Sequence, residues 1–324
     1  MTAASLVFGA AFGKTSSLRQ LAMVYIPGNP GFQAVGLVDG RLIISHSGDS
    51  TVDIFNVKMR RVDAQLKIEN PRGIAVDEGG GKVYVADAGA NNIAVISART
   101  WKVEKSISVQ LTPGPLALSS DGRTLFVGNT RDQSVTAIDV DNGKQAATVL
   151  LGHVDALVYD PARKLLYATL EDQAQVAVLD PSLKLLRRYP LAASQPSAMV
   201  LDQQGRRLFV AVRDAVVSLD ADSGREIGRV AAPMGVDSLW LDPGSGKLYV
   251  ASSNEVDVIR SKGGQFSAED QLLLTVRGRG IVFDPDGKLL LMPSGHEGRS
   301  LVLILKPAGP TPGLQAPSQA LIQP

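Results

Sequence analysis

An aromatic residue returns in the same short phrase five times, at Tyr84, Phe126, Tyr167, Phe209 and Tyr249, in steps of 42, 41, 42 and 40 residues. A tandem repeat of about 40 residues confines a chain to architectures in which each unit leans on its neighbours. One step back from Tyr84 and one forward from Tyr249 reach Ile43 and Leu290, each behind the same Gly-basic punctuation, Gly40-Arg41 and Gly287-Lys288. That makes seven copies. Each copy strings short alternating apolar runs between Asp/Gly turns and has no helical period, so it reads as the four strands of a propeller blade. The expected fold is all-β: a seven-bladed β-propeller with four antiparallel strands per blade.

The turns carry the same message. In blade two Ile74-Ala75-Val76 leads through Asp77 to Gly81 into Val83-Tyr84-Val85-Ala86, and the equivalent hairpin recurs at Ser120–Arg123, Asp202–Arg206, Asp242–Gly246 and Asp284–Gly287. Asp caps its own backbone and Gly takes positive φ, which is what a tight hairpin needs. A second hairpin repeats the chemistry at Asp139–Lys144 and Asp220–Arg225.

After Leu301–Leu305 the chain enters PAGPTPGLQAPSQALIQP, with five prolines, so blade seven lacks a fourth strand of its own. Residues 17–26 alternate like an outer strand and are expected to supply it, closing the ring and removing its open edges. The domain reading is therefore a leader or signal-peptide remnant over 1–17, one propeller over 18–306, and a disordered Pro-rich tail over 307–324. Ala3 to Gly13 resembles the back half of an export signal, or a loosely packed leader if Met1 is the true start. On the first of these readings the protein is periplasmic or secreted.

Thirty-three Lys and Arg against 32 Asp and Glu leave a formal charge of +1 without like-charge blocks. The electrostatic footprint of nucleic-acid binding is missing, and so is any span long enough to cross a membrane as a helix. The absence of cysteine removes disulfides, thiolate metal sites and cysteine nucleophiles. Gly79-Gly80-Gly81 lacks a following helix and Lys-Ser/Thr pair, so it is a hairpin and not a phosphate loop; no Gly-x-Ser-x-Gly elbow occurs.

The phrases Tyr84-Val85-Ala86-Asp87, Phe126-Val127-Gly128-Asn129 and Tyr249-Val250-Ala251-Ser252 resemble the motif of the YVTN-repeat β-propellers, and the flanking strands are similar over roughly residues 18–306. The resemblance implies a seven-bladed bacterial propeller, often exported, with binding or scaffolding roles. Blades one and seven depart from the motif, with Ile44-Ser45-His46 and Leu291-Met292-Pro293 in its place. Related propellers include lactonases and quinoprotein subunits, but the motif is structural and carries no activity with it.

Any site is expected at the mouth of the central channel, where loops enter the inner strands. Counting back five from the Asp that ends an inner strand gives Arg72, Asp155, Ser197, Asp237 and Arg279, with Gly114 and Ala34 in the uncharged blades. The ends of the second strands add His46, Asp87 and Asn129; His153 and His296 are expected in loops on the same face. Trp240, near Asp237, is either a ligand platform or inter-blade packing, and Trp101 packs at the rim. The expected ligand-binding residues are Arg72, Asp87, Asp155, Asp237, Arg279, His46 and Trp240. His153 and Asp155 are candidates for a base and its orienter. No metal site or cofactor is expected, since the three histidines fall in blades one, four and seven without ligand spacing.

Two functions stay open at this point. The first is a non-catalytic binding or scaffolding propeller that presents one loop-rich face to a protein, peptide or glycan. The second is a lactonase-like or other small-molecule hydrolase at the channel mouth. Uniform loops favour the first, because enzymes on repeat scaffolds build pockets from irregular insertions.

Overall fold

A computed structural model describes residues 18–261 and 266–307. Seven antiparallel sheets follow one another along the chain, so the expected propeller is the observed one. Blade two shows the pattern: an inner strand Pro71–Asp77, then Lys82–Asp87, Asn92–Ser97 and an outer strand Val103–Ser108, each paired to the next. The expectations for residues 1–17 and for the tail beyond residue 307 lie outside the described residues.

The second and third strands are buried on both faces, because each sheet is sandwiched between its neighbours. The repeated aromatic sits at the centre of the second strand, and all five copies are among the largest fully buried side chains. Apolar side chains from adjacent blades merge into seven clusters, one per seam. The cluster joining Phe32, Leu42 and Phe55 of blade one to Leu291, Val302 and Ile304 of blade seven closes the circle.

Ring closure is covalently split but continuous in hydrogen bonds. Leu18–Tyr25 pairs antiparallel with Arg299–Pro307, from Leu18 opposite Pro307 to Tyr25 opposite Leu301. The chain's first described strand is therefore the outer strand of its last blade.

The hairpin turns behave as their sequences require. Asp77 Oδ1 accepts the Gly80 N–H at 2.8 Å and Asp202 Oδ1 the Gly205 N–H at 2.8 Å. Gly143 and Gly224 take φ of 71° and 74° in the second hairpins.

Two irregularities matter for the site. In blades one to four the pairing of the inner strand slips between its first and fourth residues, at Phe32/Val35, Pro71/Ile74, Pro113/Leu116 and Val154/Leu157. Such bulges re-aim the residues they contain, here Ala34, Arg72, Gly114 and Asp155. In blade seven the inner strand breaks into Arg277–Gly278 and Val282–Asp284 around Gly280 at φ 76°. The Gly280 N–H then donates to Asp237 Oδ1 at 3.2 Å and the Ile281 N–H to Ser238 Oγ at 3.1 Å, tying this turn to blade six.

Candidate functional site

The bulged inner strands surround a cavity of about 840 Å³ at the channel mouth, lined by residues from all seven blades. Every residue reached by counting back five from the inner-strand Asp lies on its wall: Ala34, Arg72, Gly114, Asp155, Ser197, Asp237 and Arg279. His153 and Trp240 line it too. Trp240 also packs against the clusters on both sides of blade seven, which is the inter-blade packing expected of it.

Two of the expected ligand-binding residues lie elsewhere. His46 has no solvent exposure and is not on the cavity wall; its ring bonds to Asp53, the Asn29 carbonyl and Ser300. Asp87 is buried, and its carboxylate accepts the backbone N–H groups of Glu69, Asn70, Gly89 and Ala90. Asn129 is likewise consumed inside blade three, donating to Ser134 and Thr136. The physical reason is strand alternation. In blades three to six the residue three beyond the repeated aromatic is buried, and the residue four beyond it reaches the cavity wall.

That one-residue shift identifies what the sequence reading missed. Four residues after Phe126, Tyr167, Phe209 and Tyr249 come Thr130, Glu171, Arg213 and Ser253, and all four line the cavity. His296 ends the strand Leu289–His296 rather than lying in a loop, away from the cavity wall. Trp101 sits in a turn at φ 52° and packs against the seam of blades one and two.

Blade four supplies a compact polar cluster. His153 Nδ1 lies 2.6 Å from Glu171 Oε2, and the His153 backbone N–H donates to Asp172. Ligand atoms of His153, Asp155 and Glu171 all lie within 4.8 Å of one another, so imidazole and two carboxylates are spaced to hold a divalent cation. The expectation of no metal rested on spacing among the three histidines, and this cluster joins only one of them to carboxylates. The partners are carboxylates of the same blade and not the other histidines.

Electrostatics sets the rest of the cavity apart from an ordinary protein surface. Asp155 opens onto the cavity, yet the surrounding walls displace bulk water; that desolvation, with Glu171 beside it, pushes its carboxyl up against the pull of His153 and Arg279. Asp237 is pushed up to about 6, chiefly by burial, although the Gly280 N–H and Arg279 oppose the shift. Among the described residues, Arg72, Arg213 and Arg279 make no ion pair, nor do Asp155 and Asp237. The buried Nε of Arg72 has no hydrogen-bond partner. The charges therefore converge on one cavity without neutralising one another in pairs.

Comparison with known proteins narrows the class. The family model described as SMP-30/Gluconolactonase/LRE-like region matches residues 96–214, a stretch that includes His153, Asp155, Glu171 and Arg213. The protein named Uncharacterized protein YncE of Salmonella typhi, and its counterpart in Salmonella typhimurium, are 33% identical over 93 residues. That match covers 27% of this chain and 26% of each relative. Hydrazine synthase of Kuenenia stuttgartiensis superposes with a TM-score of 0.73 at 15% identity, over 86% of this chain and 96% of that one. The likeness to hydrazine synthase is one of fold. These matches show a β-propeller fold and, over residues 96–214, a likeness to the SMP-30/Gluconolactonase/LRE-like region.

Proposed function

We propose that this protein is a non-catalytic binding propeller of the YVTN-repeat kind, working outside the cytoplasm. Its channel mouth takes a polar group carried by a protein, peptide or glycan. The observation that carries this reading is the set of unpaired charges on the cavity wall, above all the buried and unpartnered Arg72 Nε. Leaving a charged donor desolvated and unpaired costs stability. A ligand that completes its hydrogen bonds recovers that cost on binding. The extracytoplasmic placement rests on the apolar Ala3–Gly13 stretch.

The test is a peptide and glycan array probed with the full chain and with a Gly114→Trp variant, designed to add an indole at the cavity wall. Spots bound by the full chain and lost with the variant support the reading. Binding that survives in the variant contradicts it.

A second reading is a lactone or ester hydrolase. The His153–Glu171 contact with Asp155 alongside favours it, since a base held by a carboxylate is the arrangement general-base hydrolysis needs. The family-model match over the same residues also supports it. A lactone and ester panel measures it. Turnover abolished by Asp155→Ala supports hydrolysis, whereas no turnover, or turnover indifferent to that change, removes it.

A further inference from the structure

The residues just past the second strands line the mouth, so the hairpin between third and fourth strands lies at the opposite face. Blade seven is cut at that hairpin: Leu18 stands opposite Pro307, which brings Arg19 and Lys306 to the rim. Blade one adds Lys58, Arg60 and Arg61 in its hairpin, and blade two adds Arg99 and Lys102. These blades are neighbours. The closing strand packs into the seam with blade one, and Trp101, inside the blade-two hairpin, packs into the seam of blades one and two. Four separate chain segments thus place seven exposed cations on one sector of the rim. Among the described residues only Arg61 of these has an ion-pair partner, Asp63.

The acids nearby do not cancel this charge. The inner hairpins of the three blades are mixed, with Asp39, Asp77, Glu78, Asp284 and Asp286 against Arg41, Lys82 and Lys288, and Asp77 and Asp284 are engaged by the backbone N–H groups of their own turns. On the fourth strands Asp63 is held by Arg41 and Arg61, and Glu104 subtracts one charge. The equivalent outer hairpins of blades three, four and five differ, since each carries its own acid: Asp139 and Asp141, Asp180, and Asp220 and Asp222.

We propose that this basic sector docks on an anionic phospholipid bilayer. The proposal concerns the face away from the channel and stands or falls independently of what the mouth binds. Charge alone would also suit a nucleic acid. Two further features favour lipid. Met59 is 59% exposed at the tip of the blade-one hairpin, between Lys58 and Arg60. The turn holds it there, with the Met59 N–H donating to Asn56 Oδ1 at 2.9 Å and Arg60 at φ 53°. An apolar side chain flanked by cations enters the headgroup boundary while its neighbours stay at the level of the phosphates. The second feature is the sequence leading to Leu18, where the eleven residues Ala3–Gly13 are small or apolar and Lys14 follows. Eleven residues are too few to cross a bilayer as a helix, but a short apolar segment beside a polybasic patch supplies the two signals that stable peripheral attachment needs. Stacking on bases has no platform in this sector, because the exposed aromatic among the described residues, Tyr25, lies at the mouth end of its strand. Docked this way, the propeller keeps its channel mouth turned to the aqueous phase.

The experiment is co-sedimentation of the full chain with phosphatidylcholine vesicles made with and without phosphatidylglycerol. Binding is expected only with the anionic lipid and should weaken as salt is added. Each Lys or Arg near an anionic surface contributes on the order of fivefold in affinity. The double variant Lys58→Gln/Arg60→Gln should therefore bind at least about tenfold more weakly, and Arg99→Gln/Lys102→Gln serves the same purpose if the first does not fold. Lys144→Gln/Lys184→Gln, on the other side of the rim, should leave binding unchanged. Deleting residues 1–14 should weaken binding and preserve its salt dependence. Because the chain has no cysteine, Met59→Cys accepts a single environment-sensitive dye, whose emission should shift to the blue on anionic vesicles. The same dye at Leu150→Cys, 78% exposed at the mouth end of blade three, should not respond.

No binding to anionic vesicles overturns the proposal, as does binding indifferent to both charge-neutralised variants of the sector. A blue shift at position 150 and not at 59 overturns it by placing the lipid at the mouth. Duplex DNA that displaces the vesicles and loses affinity in Lys58→Gln/Arg60→Gln assigns the sector to nucleic acid instead.

Discussion

His46 Nδ1 lies 2.7 Å from Asp53 Oδ2 with both side chains fully buried, while His46 Nε2 lies 2.6 Å from the Asn29 carbonyl oxygen. Both partners accept, so both ring nitrogens donate and the ring is an imidazolium. Asp53 is held in turn by Thr51 and Gln65. Burial lowers the affinity of this ring for its second proton, but the bonds to Asp53 and Asn29 and the nearby charges of Asp53 and Asp49 win, and its pKa is raised above 6.5. The ring joins blade one to the segment after the closing strand and, through Ser300, to blade seven.

A raised folded-state pKa stabilises the protein fully below pH 6.5, and that stabilisation is lost as pH rises through the folded value. Urea denaturation should therefore give lower stability at pH 9 than at pH 6. His46→Gln should flatten that dependence, and His46→Ala should cost about 3–5 kcal/mol at pH 6 by leaving Asp53 buried alone. A pH profile unchanged by His46→Gln would mean that the ring is neutral.

Asp237 shares the pH direction of His46, but its substitution should act in the opposite sense. Its ordinary value of 3.8 rises to about 6, so the native state holds a proton that the unfolded chain releases between those values, and stability declines as pH climbs through that window. At pH 7 the ionised, half-buried carboxylate is a net cost on the order of 2 kcal/mol. Asp237→Asn should raise the melting temperature at pH 7 and have little effect at pH 4. Binding of a channel ligand should weaken at the same time, the trade expected of a residue kept for function.

The closing strand can be removed outright. Deleting residues 1–26 strips the partner from Arg299–Pro307 and uncovers a long apolar edge containing Leu301, Leu303 and Leu305. Aggregation on expression is the expected result, read by size-exclusion chromatography. A monomeric truncated protein of equal melting temperature would contradict the closure.

Much of this architecture was legible because the buried positions repeat. The aromatic at the centre of the second strand is packed from both sides in every blade that has it. Ile43 and Leu290 occupy the same fully buried place in the two blades that lack it. Counting back from the turn Asp found the channel residues because the turn fixes register on the inner strand. His46 and Asp87 were misassigned because their side chains turn inward and are used up in hydrogen bonds within the fold; Glu171 and Arg213, at the next position in blades four and five, line the cavity. The His153–Glu171 contact was not legible, since it joins residues 18 apart across a strand pair.

Gly73 offers a test of the tight packing beneath the mouth. A Cβ at this position would collide with the Gly114 carbonyl oxygen, a backbone atom that cannot move aside without shifting blade three. Gly73→Ala should cost about 1–3 kcal/mol in denaturant titration and weaken ligand binding by displacing Arg72. Stability and binding both at wild-type levels would show that the two inner strands separate freely.

The central claim is that the channel mouth recognises a ligand through charges the protein leaves unpaired. It is tested most directly by the arginine Nε–H signals in a proton–nitrogen NMR spectrum of the full chain, recorded before and after adding a ligand selected on the array. The Arg72 Nε–H signal, assigned by its loss in Arg72→Lys, should shift and become protected from exchange when the ligand binds. A bound ligand that leaves the Arg72 signal unmoved would place recognition elsewhere on the propeller and contradict the account.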